Sequence, residues 1–141
     1  MKKILLLMVL SAMIFFGCKK EDNNSSGFDY DIKLLYGKWR TTHVELSDGS
    51  YLDVTSSIAE SVFKPTYSTF NLDGTYSISG YFGNFSGTYK TEGKTIITYV
   101  SGEEDVRYDV LSLSGISAEL YMYDNEDADA AINMKIKVTK Q

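Results

Sequence analysis

Cysteine, proline, histidine and tryptophan occur once each in these 141 residues, and there are only two arginines. A single cysteine excludes an internal disulfide, so any fold must be held by its core. One histidine and one cysteine leave no ligand set for zinc. No Gly-x-Ser-x-Gly occurs, so there is no serine-hydrolase elbow. Acidic residues exceed basic ones by 19 to 14 and the basic ones form no cluster, which argues against nucleic acid as a partner. Nor does any apolar run reach the ~20 residues that cross a bilayer as a helix.

The longest apolar run, residues 4–16, is broken only by Ser11 and is preceded by Lys2 and Lys3. A positive start followed by a short apolar stretch reads as a secretory leader. The run ends in "FFGC", with Cys18 directly after Gly17. This resembles the lipobox of bacterial lipoproteins, although Phe15 and Phe16 stand where that pattern has an aliphatic and a small residue. The resemblance implies cleavage before Cys18 and attachment of diacylglycerol and a further fatty acyl chain, such as palmitate, to that residue. More than one chain is what a stable anchor requires, at ~0.8 kcal/mol per buried methylene. The stretch "KKEDNNSSG" that follows is polar and small, the composition of a flexible tether. Its Lys20-Glu21-Asp22 is similar to the surface-export signal of some Gram-negative lipoproteins, which implies an outer-membrane protein facing the cell surface rather than the periplasm. The chain thus divides into a leader (residues 1–17), an anchor and tether (18–33) and one domain (34–141). Loss of the two leader lysines takes the formal charge from -5 to -7.

From residue 34 onward the texture is β: short runs rich in tyrosine, threonine and aliphatic residues, separated by turn signals. Alternation is clean in the last three runs. Ile132, Met134, Ile136 and Val138 oppose Asn133, Lys135, Lys137 and Thr139; Ile116, Ala118, Leu120 and Met122 oppose Ser117, Glu119, Tyr121 and Tyr123; Val106, Tyr108 and Val110 oppose Arg107 and Asp109. One buried and one wet face per strand means an antiparallel sheet. Asp73-Gly74, between two such runs, predicts a hairpin with a type I′ turn. Residues 56–63, with Thr55 or Ser56 as cap and Pro65 beyond, predict a short helix. Eight strands joined by tight turns predict an all-β, up-and-down barrel, whose closure removes the exposed edges.

Gly37-Lys38-Trp39 at the start of the first strand resembles the G-x-W signature of lipocalins and the wider calycin barrels. The later "FNLDGTYSISG" and "GTYKTEGKTI" are similar to small bacterial lipocalin-like domains. The resemblance covers most of residues 34–139. It implies that Trp39 plugs the closed end, with a cationic side chain from late in the chain packed across its face. Neither Arg40 nor Arg107 is late enough, which leaves Lys135 or Lys137 for that place, without the flat guanidinium that stacks on an indole. It also implies that a small apolar or amphipathic molecule is held inside.

An eight-stranded barrel is either filled by its own side chains or holds one small ligand. Tyrosine suits a ligand cup, with its apolar body and polar tip. Candidate ligand contacts are therefore Trp39, His43, Tyr67, Phe70, Tyr76, Tyr81 and Tyr108. Alternation along the first strand puts His43 on the face of Trp39. No nucleophile, base and orienting group come together in the sequence, so no catalytic residue and no cofactor are expected. Two acidic stretches, Glu103-Glu104-Asp105 and residues 124–129, read as solvated turns rather than calcium loops. The sequence thus predicts a lipid-anchored, monomeric binding protein, tied to the membrane through Cys18. The alternative is a filled barrel that contacts a protein or glycan through its outer surface.

Overall fold

The computed structural model of the chain describes residues 27–124 and 133–141; Cys18 and most of the acidic stretch 124–129 lie outside them. Among the described residues nine strands and two short helices follow in the order α1 (Ile32–Leu35), β1 (Gly37–Glu45), β2 (Tyr51–Asp53), α2 (Ser57–Val62), β3 (Tyr67–Phe70), β4 (Thr75–Ser79), β5 (Phe85–Glu92), β6 (Thr95–Val100), β7 (Glu103–Leu113), β8 (Ser117–Asp124) and β9 (Asn133–Lys140). Strands β3 to β9 pair antiparallel in sequence order, and β1 pairs with both β3 and β9. That closes an eight-stranded up-and-down barrel in which each of the eight strands has a partner on both sides. The extra strand β2 pairs with residues 43–45 of β1, beyond the point where β3 ends.

The alternating patterns of β7, β8 and β9 bury the residues expected: Tyr108, Val110, Ala118, Leu120, Met122, Ile136 and Val138. Val106 and Met134 are half-buried against the core, Ile132 lies outside the described residues, and Ile116 is 73 % exposed, because β8 begins one residue later. The helix expected near residues 56–63 is α2, capped by the Ser56 hydroxyl, which accepts from the Ala59 amide at 3.2 Å.

The Asp73-Gly74 hairpin forms, but not with the type I′ turn. Only Gly74 has positive φ there. The Asp73 carboxylate instead accepts from the Thr75 amide (2.9 Å) and hydroxyl (2.6 Å). The same arrangement recurs at Asp48 and Ser50 in the β1–β2 turn. These bonds hold the Asp48 and Asp73 carboxyls below the usual range. The two-residue turn with both φ positive falls at Ser101 (φ 55°) and Gly102 (φ 80°), between β6 and β7.

Packing reaches further toward the N-terminus than the start of β1. Residues 28–33, assigned to the tether from composition, lie against the barrel: Phe28 bridges to Gly93 and the Tyr30 hydroxyl donates to the Val110 carbonyl at 3.1 Å. Three apolar side chains there (Phe28, Tyr30 and Ile32) pack against the core, as a soluble linker's would not.

This segment closes one end of the barrel. Leu35, at the end of α1, and Trp39 are both about 2 % exposed. A helix leaves its last carbonyls without partners inside it. Here the Trp39 indole donates to the Leu35 carbonyl at 2.8 Å, and the Lys140 ammonium donates to the Leu34 carbonyl at 2.8 Å. Lys140 Nζ also sits 4.9 Å from the centre of the Trp39 ring. The cation over the tryptophan is therefore Lys140. Lys137 lies over Tyr51 instead, and only the backbone amide of Lys135 has a described partner, Glu45.

Candidate binding site

The middle of the barrel is full. Trp39, Phe70, Tyr108, Val110, Leu120, Ile136 and their neighbours leave a central void of about 10 Å³, room for one water at most. Phe70 holds three rings around itself, with centroids 5.2 Å from Tyr76, 5.2 Å from Tyr89 and 6.4 Å from Tyr108. Edge-on and tilted contacts of this kind fill space that a ligand would otherwise take.

The end away from Trp39 is different. A cup of about 270 Å³ opens there, lined by Tyr76, Ile78, Phe82, Phe85, Asp105, Val106, Tyr108 and Met122. That is close to the lower limit of ordinary small-molecule pockets, ~300 Å³. Its floor is a pair of phenols. The hydroxyls of Tyr76 and Tyr108 share a hydrogen bond of 2.9 Å. Burial drives the Tyr76 phenol well above its usual range and pushes that of Tyr108 up to about 12, so both stay neutral hydrogen-bonding groups. The walls are apolar side chains of β4, β7 and β8, together with Phe82 and Phe85 from the β4–β5 loop and the start of β5.

Asp105 reaches this cup because β7 is irregular. The β6–β7 pairing shifts register between Ile97 and Tyr99. At that point the fully buried Thr98 hydroxyl donates to the Val106 carbonyl (2.7 Å) and accepts from the Val106 amide (3.0 Å). A bulge adds a residue and re-aims the side chains around it. The acidic triple read as a solvated turn is thus the first part of a strand, and its members separate. Glu103 is exposed, Glu104 accepts from Arg107 at 2.7 Å, and Asp105 lines the cup. Burial, and then the charge of Asp124, raise the Asp105 carboxyl above its ordinary value.

That shift predicts an effect on stability. A carboxyl raised in the folded state binds more protons folded than unfolded, so its ionisation destabilises as pH rises from the unfolded value through the folded one. Asp105→Asn is therefore expected to raise the melting temperature at neutral pH. The gain should vanish by about pH 3, where Asp105 is protonated in both states. Thermal melts of both proteins across pH check this; an equal gain at both ends would point to a cause other than charge.

The seven ligand-contact candidates are dispersed. Tyr76 and Tyr108 form the floor of the cup. Trp39 is at the closed end and Phe70 in the filled middle. Tyr67 points outward under Lys38, whose ammonium is 4.4 Å from its ring centre. Tyr81, half exposed, lies in the β4–β5 loop against Phe63 (4.7 Å) and Phe82 (5.3 Å). His43 does not share the face of Trp39. The β1–β9 register shifts between Thr41 and His43, so the buried positions run Trp39, Thr41, Val44. The imidazole ends outside, with Nδ1 2.9 Å from the Thr42 hydroxyl.

The remaining lining residues had signals of different strength in the sequence. Ile78, Val106 and Met122 follow from strand alternation. Phe82, Phe85 and Asp105 depend on a loop and a bulge that alternation does not report. Among the described residues no cluster of histidine, cysteine and carboxylate side chains could hold a metal ion, and no helix is long and apolar enough to cross a membrane. The chain matches no protein-family model, and no curated protein matches it.

Proposed function

We propose that this is a lipid-anchored, lipocalin-like binding protein of the outer membrane that holds a small apolar or amphipathic molecule, without catalysis. The observation that carries the reading is the cup of about 270 Å³ at one end of an otherwise filled barrel. Apolar walls and a few convergent polar groups are the ordinary make-up of a small-molecule site. The placement of the N-terminal segment supports it too. Phe28 and α1 lie at the closed end, so a tether from Cys18 would join the barrel at the end opposite the cup and leave its mouth free. His43, outside the barrel and beside Thr42, takes no part.

A second reading is favoured by a different observation. Ile58 and Val62 of α2, with Tyr81 and Phe85, leave apolar surface exposed. A filled barrel with such a surface suits contact with a protein or glycan.

Native mass spectrometry of the full chain, extracted from its own membrane, tests the first reading. The expected result is a retained small molecule on a chain carrying acyl groups at Cys18. The molecule should be lost from Val106→Trp, which fills the cup, at an unchanged melting temperature. An apo mass that takes up nothing from a lipid and metabolite extract overturns it and leaves the surface reading.

A further inference from the structure

We infer that the cup selects ligands that carry an organic ammonium group on an apolar body. This deepens, and rests on, the reading of the cup as a small-molecule site. Its lining includes one ionisable carboxylate, Asp105, and no lysine or arginine. Arg107, two residues further along the same strand, pairs with Glu104 at 2.7 Å. Among the described residues no lysine or arginine forms an ion pair with Asp105.

Ligand entry would strip water from the Asp105 carboxylate. A neutral ligand leaves that charge unpaired in an apolar surround, which is unfavourable. An anionic ligand adds repulsion from that carboxylate. An ammonium pairs with the carboxylate as the water leaves. It also meets the aromatic wall formed by Phe82 and Phe85, the kind of group that attracts a desolvated cation. One floor hydroxyl donates to the other, and the lining beside them is apolar, so the deeper part of the cup suits an apolar group. The geometry suits a short apolar or aromatic tail inward and the ammonium at the rim. The bulge at Thr98 and Val106 is what sets the carboxylate there.

The test uses the full chain in lipid nanodiscs with methyl-labelled methionine, because Met122 lies in the cup. Three probes of matched shape are titrated: phenethylamine, phenethyl alcohol and 3-phenylpropionate. Phenethylamine is expected to move the Met122 methyl resonance with an apparent affinity at least about tenfold tighter than the alcohol, and the carboxylate is expected to be weakest. Asp105→Asn is expected to bring the amine down to the affinity of the alcohol and to leave the alcohol unchanged. Equal affinity for amine and alcohol in the wild-type protein overturns the charge selection while the cup remains a binding site. No response of Met122 to any of the three overturns both. Loss of all binding in Asp105→Asn, alcohol included, assigns the aspartate to shaping the cup and overturns its role in selection.

Discussion

Trp39→Ala is expected to destabilise the barrel by about 3–5 kcal/mol, the range for emptying a large buried aromatic site. Against a total of ~5–15 kcal/mol for a domain, that is enough to lower its melting temperature by more than ~10 °C. Three effects coincide at this residue. The indole fills the closed end, and its neighbours Leu35, Leu120, Ile136 and Val138 belong to a core with almost no slack. Its N–H satisfies the Leu35 carbonyl at the end of α1. Its ring receives Lys140. Two milder variants separate these effects. Trp39→Phe keeps most of the ring and removes the donor, and leaving a buried carbonyl without a partner is expected to cost about 1–3 kcal/mol. Lys140→Met keeps the aliphatic stem and removes the cation, with a smaller loss of about 0.5–2 kcal/mol. The order is read from denaturant midpoints followed by far-UV circular dichroism, since the substitutions at position 39 remove the only tryptophan fluorophore. A loss below ~1 kcal/mol for Trp39→Ala would mean that the closed end contributes little and that the rest of the barrel stands without it.

The strands were legible because one face of each is buried and the other wet, and a period of two survives any detail of connection. Where the backbone departs from that period, the sequence misled. A bulge in β1 between Thr41 and His43 costs one residue of phase, and that is sufficient to move His43 from the inside of the barrel to the outside. The bulge in β7 has the opposite consequence: it brings Asp105 in from a run that composition marks as solvated. Strand β2 is three residues long and pairs only with the end of β1, too short to show alternation. Helix α1 is a single turn with tertiary support: its Leu34 carbonyl is satisfied by Lys140, at the other end of the sequence. Lys140 passes unnoticed because nothing local distinguishes it from Lys135 or Lys137. The floor of the cup, Tyr76 and Tyr108, was among the sequence candidates. Its selective group was not, because a bulge depends on the partner strand as well as its own.

The second large effect is expected at Gly80, which holds the β4–β5 loop in place. Its φ is +122°, and a Cβ built there would lie 2.1 Å from the Pro65 carbonyl oxygen and 2.7 Å from the Thr66 Cα. Both are backbone atoms beside a proline, so neither yields as a side-chain tip would. Any shift would also disturb two bonds of Thr66, whose carbonyl accepts from the Thr41 amide at 2.9 Å and whose hydroxyl accepts from the Tyr81 amide at 3.0 Å. Gly80→Ala is therefore expected to lose about 3 kcal/mol or more, backbone strain and overpacking each contributing ~1–3 kcal/mol. Two other glycines separate those contributions. At Gly74, φ is +85° with open space around the Cβ position, so Gly74→Ala carries strain alone, about 1–2 kcal/mol. At Gly115 there is neither positive φ nor a neighbour, and Gly115→Ala should be neutral or gain up to ~1 kcal/mol through the unfolded state. The functional consequence is specific to Gly80, because Phe82 and Phe85 hang from the loop it anchors and form one wall of the cup. Folded Gly80→Ala protein is expected to bind the cup's ligand weakly, while Gly74→Ala and Gly115→Ala bind as the wild type does. Equal stability for Gly80→Ala and Gly74→Ala would show that the loop moves aside freely, and the wall it carries would then be too loose to shape a site.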